Sequence, residues 1–361
     1  MALLAKGVVQ VKRVALFGGG GFVGVNLARR LAESAEFLPV VYDTTDEKLV
    51  LRFRDTVPCA FHTCDVLTDA ELLDHAVSEA DIVVNLVSHV LPKRFIDRPL
   101  DVIGVTLKAA MKVIDATIKH DKRLIHFSTS EVYGKTNGRD QVFFEDRSDC
   151  VLGPIENHRW IYSTSKQLLD RIIHGHGMAG DLEYTIVRPF NFVGPLMDWL
   201  GETDETPRVF ASFMTALMTG QPIQLVDGGH SQRCFTYIDD GVDALMVLLR
   251  DSTGARNNIF NIGNPQNETT IAELAELMRG IYRQETGKGQ VSPIRSVSAE
   301  TFYGVGYEDC DRRMPDVSKL AALGWKPRTT LEQTFAQSIR YAIDNAHELG
   351  LPAHRKPSTA A

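Results

Sequence analysis

The sequence predicts an α/β protein with a doubly wound parallel sheet and a smaller C-terminal α/β lobe. Three observations predict this fold. Short apolar runs alternate with amphipathic helical stretches through the first 190 or so residues, a glycine-rich turn follows the first run, and the pattern changes after Asn191. Strands that alternate with helices in this way are typical of parallel βαβ units, and a late change of pattern indicates an added lobe.

The predicted elements follow in chain order. In the first part the strands are expected at Val14–Phe17, Leu38–Tyr42, Asp81–Val87, Leu124–Phe127 and Tyr184–Pro189, and long helices at Val102–His120 and Ser163–His176. After a Gly, Asp, Thr and Pro-rich loop at 194–207, the pattern predicts helix Arg208–Thr219, strand Ile223–Val226, helix Asp239–Arg250 and strand Asn258–Ile262. The last two are expected to return to the main sheet. Residues 1–12 are interpreted as an N-terminal extension.

Composition excludes several classes of function. The chain has 361 residues, a formal charge of -7, and no apolar run near the roughly 18 residues of a membrane span. Acidic and basic residues are interspersed, so the basic stripe that nucleic acid needs is absent from the sequence. Five widely spaced cysteines without a CxxC pair favour reduced thiols in a cytoplasmic protein over a disulfide framework or a zinc site. His174 and His176 lack clustered acids, and no metal is predicted.

A dinucleotide site is predicted where the first strand meets the first helix. Gly18, Gly21 and Gly24 fit GxxGxxG and lead into a helix through Phe22 and Val23. Bare backbone there lets a pyrophosphate approach the unpaired N–H groups of a helix N-terminus. The pattern is that of a Rossmann unit.

An acidic residue decides which dinucleotide is favoured. Asp43 comes 19 residues after Gly24, at the end of the second strand. A carboxylate there accepts hydrogen bonds from both ribose hydroxyls and repels a 2′-phosphate, so the predicted cofactor is NAD. A solvated turn acid is the alternative. Asp65 and Val66, after the third strand run, are placed near the adenine, although Asp65 also suits a helix or turn cap. Leu86 ends the fourth strand, where backbone lines the cofactor cleft.

A catalytic pair is predicted on a later helix. Tyr162 and Lys166 are four residues apart, so both project from one face about one turn apart. A nearby ammonium stabilises phenolate and lowers the pKa of a phenol, which would then act as a base. The alternative is a tyrosine packed on a helix face beside a solvated lysine. The string STSEVYG at 128–134 lies at the end of the preceding strand and carries hydroxyl and carboxylate groups. Its Ser130 and Glu131 are predicted to lie beside Tyr162 and Lys166.

Taken together, these motifs resemble the extended short-chain dehydrogenase/reductase family that acts on nucleotide sugars, the NAD-dependent epimerases and dehydratases. The resemblance includes RPFN at 188–191 and RCFTYIDD at 233–240, and covers nearly the whole chain. Within the family, RLIHFSTSEVYGKT at 123–136, RWIYSTSK at 159–166, QLVDGGHSQRCFTYID at 224–239, NIFNIGNPQN at 258–267 and YGVGYEDCDRRMPD at 303–316 resemble UDP-apiose/UDP-xylose synthases. The same segments resemble the UDP-glucuronate decarboxylase domain of the bifunctional polymyxin-resistance enzyme.

The resemblance implies oxidation of UDP-glucuronate at C4 followed by loss of its carboxylate. It implies that Tyr162 is the base, Lys166 its tuner and Ser130 a proton-sharing partner, with Glu131 and Arg313 handling the carboxylate and delivering a proton. The substrate contacts that it implies are Arg159, Asn191, Arg208, Gln224, Arg233, Tyr307 and Arg313, of which Arg208 and Arg233 clamp the diphosphate. Exposed or ion-paired arginines are the alternative for each of these.

Two departures bear on the product. The apiose synthases have cysteines, associated with ring contraction, where this chain has Val90 and Ser130, so UDP-xylose and/or UDP-4-ketopentose is expected before UDP-apiose. Gln224 stands where the polymyxin-resistance enzyme has a lysine. Two other functions stay open: a 4,6-dehydratase or 4-epimerase of another nucleotide sugar, and a non-catalytic NAD-binding structural or sensor protein.

The change of pattern along the chain sets the expected organisation. Residues 1–191 are expected to form the NAD-binding Rossmann domain, to which 234–263 return, and residues 192–352 mainly the nucleotide-sugar-binding lobe. The tail at 353–361 is expected to be disordered. Relatives pair through a four-helix bundle, which implies a homodimer. Neither nucleic acid nor a membrane is an expected partner.

Overall fold

The computed structural model describes residues 11–45, 47–48, 59–136, 142–201, 208–250, 253–289 and 292–351. The predicted tail, most of the predicted N-terminal extension and part of the loop at 194–207 lie outside the described residues. Within the described ranges, no helix is both long enough and apolar enough to cross a membrane.

A seven-stranded parallel sheet forms the centre of the molecule. Its strands are β1 (Lys12–Phe17), β2 (Phe37–Asp43), β3 (Ala60–Thr63), β4 (Ile82–Asn85), β5 (Arg123–Phe127), β6 (Tyr184–Pro189) and β11 (Asn258–Ile262). The spatial order is β11-β6-β5-β4-β1-β2-β3, and every neighbouring pair is parallel. The strand order reverses between β1 and β4, the position at which doubly wound sheets bind ligands. This sheet confirms the predicted fold class.

Helices cover both faces of the sheet. On one face lie α1 (Phe22–Glu33) and α8 (Ile238–Leu249), and on the other α2 (Ala70–Ser78), α5 (Ala109–Lys119) and α6 (Ile161–Ala179). Apolar residues of β1 alternate between the two cores: Val14 and Leu16 face one side, and Ala15 and Phe17 the other. This alternation is why the strands read as continuous apolar runs in the sequence.

The predicted helix Val102–His120 is interrupted. Short helices α3 (Pro92–Asp97) and α4 (Pro99–Ile103) precede a π-helical turn at Gly104–Lys108, and α5 follows. The hydroxyl of Thr106 in that turn is fully buried and lies 3.1 Å from the hydroxyl of Ser88. The chain stays helical through the π-turn and into α5, which is why the sequence predicts one continuous helix.

The C-terminal part adds small sheets and helices above the carboxyl ends of the strands. Its strands are β7 (Phe192–Val193), β8 (Ile223–Val226), β9 (Gln232–Cys234), β10 (Thr236–Tyr237), β12 (Glu268–Thr270), β13 (Ile294–Val297) and β14 (Arg312–Arg313). Its helices are α7 (Val209–Thr219), α9 (Ile271–Thr286), α10 (Ala299–Tyr303), α11 (Ser318–Ala322) and α12 (Leu331–Asp344). Strand β9 lies between β12 and β14.

Candidate active site

One cavity of about 1310 Å³ contains the side chains that the sequence singles out. It opens between the carboxyl ends of the central strands and the C-terminal strands. The predicted residues along its wall are Gly18, Gly21, Phe22, Val23, Gly24, Asp43, Asp65, Val66, Leu86, Ser130, Glu131, Arg159, Tyr162, Lys166, Asn191, Arg208, Gln224, Arg233, Tyr307 and Arg313. The fold therefore brings together residues that lie almost 300 positions apart in the chain.

The glycine turn is shaped as a cradle for a dinucleotide. Gly18 has a φ of +76°, and a Cβ there would lie 2.9 Å from the main chain of Leu86 on the neighbouring segment. Gly21 lines the cavity at the N-terminus of α1, where a Cβ would take up space beside the helix N–H groups. A Cβ on Gly24 would lie 2.4 Å from Gly19, so α1 packs directly on the turn. These features fit NAD.

The two acids beside this turn are held differently. Asp43, the last residue of β2, accepts hydrogen bonds from the main-chain N–H groups of Gly20 and Thr44, at 2.8 and 2.7 Å. Its carboxylate therefore already lies against the glycine turn. Asp65 accepts a hydrogen bond from Leu67 N at 2.9 Å, so it caps a turn as well as lining the cavity.

Tyr162 and Lys166 lie on the first turns of α6, deep in the cavity. Tyr162 is 6% exposed and stacks on the ring of Phe95, with centroids 4.8 Å apart. Lys166 is 1% exposed and donates from Nζ to the carbonyl oxygen of Phe127 at 2.6 Å. The pair is buried at the end of β5, which is incompatible with a solvated lysine.

The residues around Tyr162 do not lower the pKa of its phenol, as the sequence predicts, but raise it. Burial raises the pKa of Tyr162 and the charge of Glu131 adds to the rise, while hydrogen bonds with Thr129 and Ser88 lower it. The ammonium of Lys166 is directed to the Phe127 oxygen, and its charge does not offset the burial of the phenol. A lysine four residues after Tyr162 is therefore not sufficient to lower the pKa of the phenol.

Three arginines and two carboxylates form a chain of alternating charge along the cavity wall. Arg159 donates two hydrogen bonds to Glu131, at 2.6 and 2.8 Å. Arg313 lies 3.5 Å from Glu131 and 3.7 Å from Asp309, and Asp309 lies 2.7 Å from Arg233. The three arginines are 2%, 3% and 6% exposed, in the order Arg159, Arg313 and Arg233. The five side chains carry one surplus positive charge, a complement for an anion.

Both carboxylates of this chain stay ionised. Burial raises the pKa of Glu131, but Arg159 and Arg313 outweigh burial and the pKa is lowered overall. Burial likewise raises the pKa of Asp309, and Arg233 and the other two arginines lower it further than burial raises it. The alternating charges are thus permanent near neutral pH.

Two of the remaining predicted substrate residues, Arg208 and Asn191, already have protein partners. Arg208 precedes α7 and is paired with Asp198, at 2.6 Å. Asn191, which has a φ of +39°, donates from its amide to the carbonyl oxygen of Cys234 at 2.9 Å. Gln224 is an exposed residue of β8 on the cavity wall. Each can reach a ligand only from this fixed position.

Tyr307 is packed against a second aromatic ring. It stacks on Tyr303 with centroids 3.9 Å apart and parallel to within 15°. The guanidinium of Arg159 lies over the Tyr307 ring, 5.8 Å from its centroid. The stacked rings therefore form a rigid edge of the cavity beside the arginine chain.

Sequence reasoning missed three residues of the site. Asp309 joins two of the arginines, and it stands inside the segment 303–316 that carries the family resemblance. Thr129 and Ser88 are the hydroxyl partners of Tyr162 among the described residues, whereas the prediction chose Ser130. Ser130 lines the cavity and is 2% exposed, and its role stays a prediction. Thr129 stands next to Ser130 in the same STSE string, so the sequence signal for it is that string.

The described residues include no cluster of His, Cys, Asp and Glu that could hold a metal ion.

The cavity, the glycine cradle and the buried tyrosine and lysine define a dinucleotide-dependent enzyme of the doubly wound α/β class. A model of the NAD dependent epimerase/dehydratase family matches residues 14–263, and the chain belongs to that family. NAD is accordingly its cofactor, as the Asp43 pattern predicts.

Relatives within the family are similar over most of their length. UDP-D-apiose/UDP-D-xylose synthase 1 of Arabidopsis thaliana is 37% identical over 373 residues, which covers 97% of this chain and 96% of the relative. UDP-D-apiose/UDP-D-xylose synthase of Oryza sativa subsp. japonica is 36% identical over 353 residues, 91% of this chain and 88% of the relative. The crystal structure of the PbgP3 protein from Burkholderia pseudomallei is 31% identical, with a TM-score of 0.81 over 96% of this chain and 100% of that one.

Proposed function

We propose that the protein catalyses the NAD-dependent oxidative decarboxylation of UDP-glucuronate to UDP-xylose and/or UDP-4-ketopentose. The observation that carries this proposal is the buried arginine chain, which shares one cavity with Tyr162 and Lys166. A sugar with a carboxylate and a diphosphate needs cationic partners at both ends, and a cluster with surplus positive charge supplies them.

The glycine turn and Asp43 would hold the cofactor in the same cavity as Tyr162 and the arginines. When bound, NAD would supply the hydride acceptor for oxidation at C4 of the sugar. In its ionised form Tyr162 accepts the C4 hydroxyl proton and becomes a neutral phenol, and Thr129 and Ser88 orient the tyrosine oxygen. Lys166, whose ammonium donates to the Phe127 carbonyl, is assigned to stabilise the phenolate before it accepts the proton.

Decarboxylation follows from the position of the new ketone. A C4 ketone is β to the C6 carboxylate, so the electron pair of the C5–C6 bond can move into the carbonyl as carbon dioxide leaves. Arg313, held at 3.5 and 3.7 Å by two carboxylates, is the loosest cation of the chain and is assigned to the sugar carboxylate. Ser130 is assigned to supply the proton that C5 of the enolate takes up, because Glu131 is ionised and paired with Arg159.

The relatives support the substrate class. Both curated relatives are named UDP-D-apiose/UDP-D-xylose synthases. Val90, which stands at one of the cysteine positions of that family, lines the cavity with 45% of its surface exposed. A valine offers no thiolate, which supports the xylose and ketopentose products over apiose.

We further assign residues 192–352 mainly to sugar binding, and we expect a cytoplasmic homodimer.

The experiment is a comparison of substrates by NMR. Purified protein with NAD is incubated separately with UDP-glucuronate, UDP-glucose and GDP-mannose, and the nucleotide-sugar products are identified. Conversion of UDP-glucuronate alone to a UDP-pentose is the expected result. Conversion of UDP-glucose or GDP-mannose, or formation of a C4 epimer that keeps its carboxylate, would favour the dehydratase or epimerase alternative. If no sugar reacts, the protein is a non-catalytic NAD-binding relative.

A further inference from the structure

The two arginines at one end of the charge chain are neighbours in a sheet. Arg233 on β9 and Arg313 on β14 are partners in the parallel register of these strands. Side chains at such partner positions project from the same face and lie about 5 Å apart at their bases. Two buried guanidinium groups so placed repel each other, and an intervening negative charge is needed to hold them together.

Asp309 provides that charge. Its Oδ2 lies 2.7 Å from Arg233 and its Oδ1 lies 3.7 Å from Arg313, while the same Oδ1 accepts a hydrogen bond from Cys310 N at 2.8 Å. The main-chain hydrogen bond fixes the rotation of the carboxylate, so one oxygen faces each arginine. Asp309 also lines the cavity and faces any bound anion.

Arg313 is the least restrained member of the chain. The outer arginines, Arg159 and Arg233, have partners at 2.6 to 2.8 Å, whereas Arg313 has its two partners at 3.5 and 3.7 Å. Its Nε, like that of Arg159, is buried without a hydrogen-bond partner among the described residues. A buried guanidinium with unfilled donors is poised to bind an acceptor that arrives with the substrate.

We propose that Asp309 is a positioning residue that holds Arg233 and Arg313 side by side, so that the enzyme distinguishes a sugar carboxylate from a neutral hydroxymethyl group. The proposal rests on the proposed function for the identity of the sugar. Asp309 opposes the binding of any anion, because its own charge is negative, and in return it keeps Arg313 in place. Removing its charge should therefore have opposite effects on affinity and on discrimination.

The test replaces Asp309 by the isosteric asparagine and measures binding without NAD, so that no turnover occurs. Calorimetry gives the dissociation constants of UDP, UDP-glucuronate and UDP-glucose. We expect Asp309→Asn to bind UDP as tightly as the wild type or several-fold more tightly, since the site gains positive charge. We expect the preference for UDP-glucuronate over UDP-glucose to fall about fivefold or more, because Arg313 is no longer fixed.

Kinetics provide a second readout. If UDP-glucuronate is the substrate, kcat of Asp309→Asn should fall about tenfold or more while KM does not rise, which is the signature of lost positioning. Asp309→Glu keeps the charge and should recover part of both the preference and kcat. If the asparagine variant does not fold, the comparison of Asp309→Glu with the wild type provides the test.

Glu268→Gln is the matched control. Glu268 on β12 holds Arg312, the neighbour of Arg313, at 2.6 and 2.8 Å in the same three-stranded sheet, but it does not line the cavity. Its binding constants and kcat should stay within about twofold of the wild type. Weaker UDP binding by Asp309→Asn, an unchanged sugar preference, or equal losses in the control would overturn the proposal. A wild type that binds both sugars but decarboxylates neither would instead contradict the proposed function.

Discussion

Lys166 donates a hydrogen bond from its ammonium group to the main-chain oxygen of Phe127, at 2.6 Å. The oxygen belongs to the last residue of β5, so the lysine is fixed to the edge of the sheet as well as to its own helix. Burial lowers the pKa of Lys166 to about 8, although Asp170, one helical turn further on, raises it. The folded protein therefore holds the ammonium at a cost in stability.

This cost depends on pH. Between pH 8 and 10.5 the unfolded chain keeps the proton of Lys166 longer than the folded chain does, so the penalty is full below about pH 8 and disappears as pH rises toward 10.5. Relative to Lys166→Met, which has no such group, the wild type should gain about 3 kcal/mol of unfolding free energy across that range. Urea denaturation of both proteins at pH 7 and pH 10 measures it. A difference that does not change with pH would contradict the assigned burial.

Tyr162→Phe should abolish sugar oxidation and leave cofactor binding near normal. The phenyl ring keeps its stack on Phe95, at 4.8 Å, while the hydroxyl that exchanges the proton is lost. We expect the rate of UDP-glucuronate consumption to fall about 10²- to 10⁴-fold. NAD affinity, measured by calorimetry, serves as the control for folding. An unchanged rate would refute the role of Tyr162 as base.

Asp43→Asn should weaken the preference for NAD over NADP. The carboxylate that repels a 2′-phosphate is removed, while an amide can still contact the ribose. We expect the ratio of NADP to NAD dissociation constants to fall about tenfold. Asp65→Asn is the control, because Asp65 is also on the cavity wall but is turned to Leu67 N. Equal changes in the two variants would show that Asp43 does not read the ribose.

Local patterns in the sequence single out the residues that are predicted to bind the cofactor. The glycine spacing, Asp43 at the end of β2, and the four-residue step from Tyr162 to Lys166 each depend on one strand or one helical turn. The arginine chain depends instead on β9 and β14, which are brought into register by the fold, and no periodicity links Arg233 with Arg313.

The errors have the same origin. The π-helical turn lies at a buried hydroxyl contact between Thr106 and Ser88, and the raised pKa of Tyr162 comes mainly from desolvation, so both depend on tertiary surroundings. Asp309 could be found only after its two arginines were seen to be neighbours, although the family resemblance had already marked its segment.

Asp170→Asn should destabilise the fold without any ligand present. Asp170 accepts hydrogen bonds from Arg188 at 3.1 and 2.9 Å, and both side chains are at least 93% buried. Leaving Arg188 buried beside a neutral amide should cost about 3 to 5 kcal/mol. Glu276→Gln breaks the pair with Arg279 on α9, where Glu276 is 62% exposed, and should cost less than about 1 kcal/mol. Similar losses in urea denaturation would contradict the account of the buried pair.

Loss of the sugar carboxylate is the central chemical claim, and a carbon label follows it directly. UDP-glucuronate labelled with ¹³C at C6 is incubated with the enzyme and NAD, and labelled carbon dioxide and bicarbonate are quantified by NMR. The account predicts one equivalent of labelled carbon dioxide for each UDP-glucuronate consumed. Consumption of the sugar with all of the label retained in a UDP-hexuronate would contradict it.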